Sequence, residues 1–293
     1  MERILVLRGG ALGDFIVTLP ALSLLRARWP RARIELAGNA PAAALARDRG
    51  LIDAVHSQHE ARWSRLFSSE PLPADFAEWL GGFDLVINYW PDPERELGRR
   101  FPLRAGQTFL TTSALPSTGP AAAHYCAPLH ALGLGPGRAW YPLTGDTAPA
   151  SRDGPVTLHP GSGSPRKNWS DDRWRALLRE LPGPVAVILG EAEVERWKPW
   201  IADKRGAVLA GRPLAELVAH LGRCRLFLGH DSGISHLAAA CGAPCVLLFG
   251  PTDPAIWAPP APRVRVVRRG ANMSDLSLND VRQAVAAALA DQT

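Results

Sequence analysis

The strongest constraint on this chain is a rhythm: strand-length apolar runs alternate with helix-length ones, break off, and start again. From the N-terminus, "RILVLR" (3–8) gives way to a helical stretch over 14–29, then to "RIELAG" (33–38) and a second helical stretch over 41–49. Pro20 lies well inside the first of these and predicts a bend there, because its ring removes the bond to the carbonyl of Ile16. "DLVINYW" (84–90) and "QTFLTTS" (107–113) read as strands, 74–80 as a helix, and "AAAHYCAPLHALG" (121–133) as a helix stopped by Gly133. Such alternation argues for a parallel sheet covered by helices.

The stretch "GLGPGRAWYPLTGDTAPASRDGP" (133–155) is rich in Gly, Pro and small polar residues and reads as a linker. After it come "VTLHPG", "PVAVILG", "AVLAG", "RLFLG" and "PCVLLFG", separated by helical patterns over 171–181, 191–202, 213–222 and 233–241. "RVRVVRR" (263–269) and a last helix over 278–290 complete the chain. The 293 residues therefore divide into two α/β domains, 1–148 and 154–293, each a doubly wound parallel sheet, with the final helix a candidate to pack back on the first. Two such halves predict a ligand in the cleft where their strand C-termini face each other.

Composition excludes several classes. No apolar run reaches eighteen residues and the first ten carry charge, so neither a membrane span nor a signal peptide is predicted and the chain reads as soluble and cytoplasmic. Cys126, Cys224, Cys241 and Cys245 form no CxxC pair and read as buried thiols. A net charge of +5 is too mild to imply nucleic-acid binding, and fits an anionic substrate or peripheral contact with an acidic lipid surface. Ten tryptophans can fill cores or stack on flat ligands and sugar faces.

Four segments carry chemistry. "GGALGD" (9–14) joins a strand to a helix, yet its glycines have neither dinucleotide-fold nor P-loop spacing. Asp14 there either caps its helix or is presented to a substrate; spacing alone leaves both open. "LHPGSGSPRKNWSDDRW" (158–174) sets Ser162, Gly163 and Lys167 in a loop able to cradle a diphosphate, with Ser170 placed to cap the next helix. Asp231, Ser232 and Gly233 lie in a strand-to-helix turn with unpaired N–H groups, an anion site. His230 and His236, six apart, do not share a helix face, and no metal site is predicted. Glu191, Glu193 and Glu195 follow a strand, where an acid can hold ribose hydroxyls or simply complement a helix dipole. Arg62, Arg65, Arg95, Arg99, Arg100 and Arg104 make the first half locally basic; most such arginines are solvated, but a cleft-facing subset would bind an acidic acceptor.

Taken together, "ILVLRGGALGDFIVTLPALSLLRARWPRARIEL", "LHPGSGSPRKNWSDDRW" and "HDSGISHLAAACGAPCVLLFGPTDPAIWAPP" resemble the signature regions of glycosyltransferase family 9, the ADP-heptose:lipopolysaccharide heptosyltransferases and their relatives. The resemblance implies a GT-B fold, two Rossmann-like domains with the acceptor bound mainly by the first and a nucleotide-sugar by the second. It implies inversion at the anomeric carbon with no cofactor and no essential metal, and the chain has no DxD triplet. It implies Asp14 as general base, Lys167 on the diphosphate, Asp231, Ser232, Gly233 and His236 as the phosphate-receiving D[ST]GxxH element, and Glu193 on the ribose. The acceptor, a lipopolysaccharide-core or other glycan or a lipid-linked one at the cytoplasmic face of the inner membrane, falls to the first domain, with Arg62, Arg65, Arg99 and Arg100 as its candidates. Two competing readings keep the architecture and change the activity: a nucleotide-sugar epimerase or hydrolase, and a binding protein without catalysis.

Overall fold

The computed structural model describes residues 1–144, 153–202 and 206–291, so that 145–152 of the expected linker lie outside the described residues. The chain separates into two compact units, Met1–Ala139 and Trp140–Thr293. Among the described residues no helix is long and apolar enough to cross a membrane.

The first unit runs β1 (Arg3–Arg8), α1 (Leu12–Ile16), α2 (Leu19–Arg28), β2 (Arg33–Gly38), α3 (Ala40–Arg47), β3 (Ala54–Ser57), a 3₁₀ segment Ala61–Phe67, α4 (Ala74–Gly81), β4 (Leu85–Asn88), α5 (Glu96–Arg100), β5 (Thr108–Thr111), α6 (Ala121–Cys126) and a 3₁₀ turn Ala127–Leu132. Its five strands are all parallel in the order β3-β2-β1-β4-β5. Ile4 to Leu7 of β1 are wholly buried, as a central strand covered on both faces must be. The order reverses at β1, which opens a crevice at the C-terminal ends of β1 and β4.

The expected single helix over 14–29 is two. The chain leaves α1 at Val17 and re-enters α2 through Thr18, which puts Pro20 in the first turn of α2, where no backbone donor is needed. The break is held by Arg8, whose guanidinium bonds both the carbonyl of Asp14 and the hydroxyl of Thr18. No local pattern in 14–29 carries that tertiary bond. Gly133 stops the helical stretch 121–132 as expected, in the left-handed region at φ 72°.

The second unit runs β6 (Val156–Leu158), a 3₁₀ turn Pro165–Lys167, α7 (Asp171–Leu178), β7 (Val185–Leu189), α8 (Glu191–Ala202), β8 (Ala207–Ala210), α9 (Leu214–Leu221), β9 (Leu226–His230), α10 (Gly233–Ala240), β10 (Cys245–Leu248), α11 (Pro254–Trp257), β11 (Val264–Val267), a 3₁₀ turn Met273–Asp275 and α12 (Leu278–Ala290). Six parallel strands take the order β11-β10-β9-β6-β7-β8, so the reversal falls between β6 and β9. Trp169, Trp174, Trp197 and Trp200 fill this unit's core, and truncating any one of them to Ala would cost about 3–5 kcal/mol. The last helix, α12, buries Val281, Val285 and Ala288 in that same core. All four cysteines are buried free thiols; burial pushes the Cys126 thiol up to about 11 and that of Cys224 to about 12.

Candidate active site

Each unit concentrates polar side chains at the C-terminal edge of its sheet, at the point where the strand order reverses. In the first unit the loop after β1 carries Asp14. The residue occupies the third position of α1, and its Oδ2 accepts the N–H of Ala11 at 2.9 Å, satisfying a donor that the helix start leaves open. Its side chain keeps 31% of its surface exposed, with Oδ1 at 3.4 Å from Arg8 Nη2. Arg8 itself is buried and packs over the Tyr125 ring, 4.3 Å from its centroid. Asp14 thus serves its helix through one oxygen and faces the Arg8 guanidinium with the other.

Gly10 explains why this loop is glycine-rich. At φ 100° it adopts a conformation that residues with a Cβ rarely take, and a Cβ there would stand 2.6 Å from Asp14 Oδ2.

Of the four candidate acceptor arginines, three are engaged within the first unit. Arg62 bonds His56 Nδ1 and Glu60 at 2.8 Å each, with its guanidinium over Trp63 and Trp79. Arg65 pairs with Glu70, and Arg100 donates to the carbonyl of Ser68. Arg99 is exposed. The contact between Arg100 and Ser68 brings the two pairs of arginines onto neighbouring segments, α5 and the 3₁₀ segment Ala61–Phe67.

In the second unit three loops converge. Lys167, at the end of the loop after β6, donates from Nζ to Asp231 Oδ2 at 2.7 Å, across 64 residues of sequence. Asp231 is buried and opens the turn after β9, so the ion pair spans the β6/β9 reversal. Ser232 caps α10: its Oγ accepts the N–H of Ser235, and its carbonyl accepts that of His236. The N–H groups of Gly233 and Ile234 are left as first-turn donors for an anion. His236 is buried on that first turn. Ser162 bonds Asn168 and the carbonyl of Ser164, which folds the loop on itself, while Gly163 stands exposed with open space around it.

Among the three glutamates, only Glu193 belongs to this edge. Buried to 7% exposure, its Oε2 accepts the N–H of Gly190 at 2.9 Å, and its carboxylate lies where a Cβ on Gly161 would be. Glu191 is exposed and Glu195 pairs with Lys198 in solvent. Ser170 accepts the N–H of Arg173, the cap its spacing predicts.

Two buried histidines hold these loops, a role the sequence reading did not assign. His230 Nε2 accepts the N–H of Trp169 at 2.8 Å, and its Nδ1 lies 3.5 Å from the Gly161 carbonyl. That pattern requires the neutral ring with its proton on Nδ1. Burial, with neighbouring His159 adding to it, pushes His230 down to about 3, and burial takes His159 to about 4. His159 Nδ1 lies 3.4 Å from Ser232 Oγ. The signal was present in "LHPG" and "LGHDSG", where one imidazole follows and the other ends an apolar strand, each just before a chemistry-bearing loop. Among the described residues no three His, Cys, Asp or Glu side chains gather as a metal-binding group.

Residues 142–284 match the model of glycosyltransferase family 9 (heptosyltransferase). The lipopolysaccharide heptosyltransferase 2 of Salmonella typhimurium is 33% identical over 143 residues, which is 44% of this chain; the chain spans 40% of the length of that relative. Solved structures agree over almost the whole chain. A glycosyl transferase family 9 protein from Veillonella parvula superposes with a TM-score of 0.78 at 22% identity, covering 99% of this chain and 97% of that one. The E. coli ADP-heptose lps heptosyltransferase II superposes at 0.77 with 19% identity, covering 100% and 99%. These superpositions establish the GT-B fold, two parallel-sheet α/β domains in one chain. Over residues 142–284, within its second unit, the chain is similar to glycosyltransferase family 9, the heptosyltransferase family.

Proposed function

We propose that this chain is an inverting, metal-independent glycosyltransferase that moves heptose from ADP-heptose to a lipopolysaccharide-core or other glycan acceptor. The observation that carries the reading is the convergence of Lys167, Asp231, the α10 N-terminus and Glu193 on one sheet edge, an arrangement suited to a nucleoside diphosphate. Glu193 would take the ribose hydroxyls. Lys167 and the first-turn N–H groups of α10 would hold the diphosphate and take up the negative charge that develops as it departs. Asp231 aims the ammonium group, so its carboxylate acts on the phosphates through Lys167.

Asp14 supplies the base. The acceptor oxygen forms a bond to C1 of the donor sugar as the bond from C1 to the diphosphate oxygen breaks, its electron pair leaving with the diphosphate. The acceptor's hydroxyl proton passes to the carboxylate of Asp14, whose side chain keeps 31% of its surface exposed. ADP as the nucleotide rests on the names of the relatives and on the match over 142–284.

Asp14→Asn tests the assignment while keeping an acceptor for the Ala11 N–H. Transfer should fall by about 10²–10⁴-fold, the usual worth of a positioned base, with ADP affinity within about twofold of wild type. Wild-type transfer in that variant overturns the base assignment. Calorimetric titration of ADP, GDP, UDP and CDP tests the donor; preference for a nucleotide other than ADP overturns it. Release of ADP from the donor without any acceptor, at the rate seen with one, would favour the hydrolase reading.

A further inference from the structure

The loop that carries Asp14 is gripped from outside by two side-chain amides that the proposed reaction has not yet used. Asn39 directly follows β2 and Gln58 directly follows β3, so both stand at the C-terminal edge of the sheet on the same side of β1. Asn39 Nδ2 donates to the carbonyl of Gly10 at 3.1 Å, and Gln58 Oε1 accepts the N–H of Gly10 at 3.2 Å. One residue of backbone is thereby held at both of its polar groups.

The end of the sheet brings Asn39 into reach. β2 finishes on Gly38, which faces Arg8 in the register with β1, and a Cβ on Gly38 would run into the Arg8 carbonyl oxygen. With no side chain there, the two strands close up and Asn39 starts α3 beside the loop. The orientation of its amide follows from its partners. Oδ1 accepts the N–H of Ala42 at 3.1 Å as the cap of α3, which leaves Nδ2 for Gly10, whose carbonyl can only accept.

From Asn39 the path to Asp14 runs through a single peptide. In a trans peptide the C=O and the following N–H share one plane and point in opposite directions. The Gly10 carbonyl and the Ala11 N–H belong to one such peptide: Asn39 holds the first, and the second donates to Asp14 Oδ2 at 2.9 Å. Each of these bonds polarises the group that makes the other. At φ 100° Gly10 sits where glycine turns most freely, and rotation of this peptide would carry the Ala11 N–H away from the carboxylate. Asn39 opposes that rotation directly, and Gln58 fixes the peptide before it.

We infer that Asn39 is a positioning residue for the proposed base: it sets the direction of the Ala11 N–H and thereby where Asp14 stands, with Gln58 as its support. This role presupposes the glycosyl-transfer reading with Asp14 as base, and it gives the cap of α3 a second task.

Asn39→Ser separates the two tasks, because serine caps a helix about as well as asparagine and is too short to reach Gly10. Steady-state transfer is measured in wild type, Asn39→Ser, Gln58→Met, Asp14→Asn and the double variant Asn39→Ser with Asp14→Asn. Exchange of the Ala11 and Ala42 amides is followed by NMR on the full isotope-labelled chain. In Asn39→Ser kcat should fall about tenfold and in Gln58→Met about threefold, part of the loss that an ångström's displacement brings, with the donor KM within about twofold. Ala11 exchange should quicken about tenfold in Asn39→Ser while Ala42 stays protected, the sign that α3 remains capped. In the Asp14→Asn background Asn39→Ser should change kcat by less than about twofold, since no base is left to position. An equal loss in both backgrounds overturns the assignment, as does wild-type kcat in Asn39→Ser when Asp14→Asn is slow. Wild-type transfer in Asp14→Asn removes the base reading instead, and the Ala11 amide then decides: faster exchange in Asn39→Ser keeps Asn39 as the residue that holds Asp14, and unchanged exchange overturns it.

Discussion

The two sheet edges share a topology and differ in what they place on it. In the first unit, the loop at the strand-order reversal is short and bound to itself: a carboxylate held by its own helix start, a buried arginine behind it, and glycines with no room for side chains. In the second unit the corresponding edge is assembled from three distant loops, joined by Lys167–Asp231 and by His230 reaching the backbone of Trp169. The first edge holds one negative group at a defined place; the second presents a lysine aimed by a buried carboxylate, and backbone donors, over a wider surface. A base needs the former and a departing diphosphate the latter.

The sharpest way to break this contrast is to put the same small side chain into both loops. Gly10→Ala forces a Cβ to 2.6 Å from Asp14 Oδ2 at a φ of 100°, so the carboxylate must move. Backbone strain of about 1–3 kcal/mol should appear in the first unit, and transfer should fall by about 10²-fold, the scale of an ångström's misplacement. Gly163→Ala, with open space around it, should leave transfer within about threefold of wild type. Steady-state kinetics on both variants, with ADP titrations as control, decide the matter. Full activity in Gly10→Ala would show that the held position of Asp14 is not the one the reaction uses.

What the sequence conveyed and what it withheld divide along a physical line. Strands such as "RILVLR" and "PVAVILG" were legible because a central parallel strand must be apolar throughout. The turn at Asp231–Gly233 was legible because Ser at an N-cap followed by small residues reports its own geometry. Pro20 was misread, since the break before it depends on Arg8, ten residues from Thr18 and on another element. The arginines were legible as charge only; that Arg62 lies on two tryptophans is a fact of packing across the sheet edge. Glu193 separated from Glu191 and Glu195 only once α8 was seen to start so that its third residue reaches back to Gly190. Residue types and local caps were written in the sequence, whereas partners brought from other elements were not.

Acid separates the units next. His159 and His230 are buried and neutral, with folded values pushed down to about 4 and about 3 from the ordinary 6.5. Above pH 6.5 they are neutral in both folded and unfolded chains and contribute nothing to the difference. As pH falls below 6.5 the unfolded chain takes up protons that the folded unit refuses, so the second unit loses about 1.4 kcal/mol per pH unit for each imidazole. The first unit's buried Glu35 behaves otherwise. Burial raises it, but hydrogen bonds from His56, Arg33 and Arg3 outweigh that and bring it to about 2. Its stabilisation is complete above pH 4.5 and is lost only as pH falls from there towards 2. Between pH 6.5 and 4.5, hydrogen exchange should therefore show protection falling faster in β6 and β9 than in β1 and β2, after correction for intrinsic rates. Equal loss in both sheets would mean that the two imidazoles are not held neutral as their surroundings require.

The smallest effect discriminates within a single helix. Glu193 and Glu195 lie two residues apart on α8, one buried against Gly161 and Gly190, the other in a solvent pair with Lys198 at 2.6 Å. Glu195→Ala removes an exposed ion pair and should change stability by less than about 0.5 kcal/mol, with ADP affinity unaltered. Glu193→Ala strips the Gly190 N–H of its partner and removes the proposed ribose acceptor, so ADP should bind about tenfold more weakly, the worth of one hydrogen bond to a charged group. The comparison should be repeated with ADP lacking its ribose 2′- and 3′-hydroxyls. If Glu193 holds the ribose, wild type and Glu193→Ala should bind that analogue equally, because the contact has been deleted from the ligand side. A tenfold difference that persists with the analogue would instead assign Glu193 to shaping the loop at Gly161, and equal losses in Glu193→Ala and Glu195→Ala would remove the ribose role from this helix altogether.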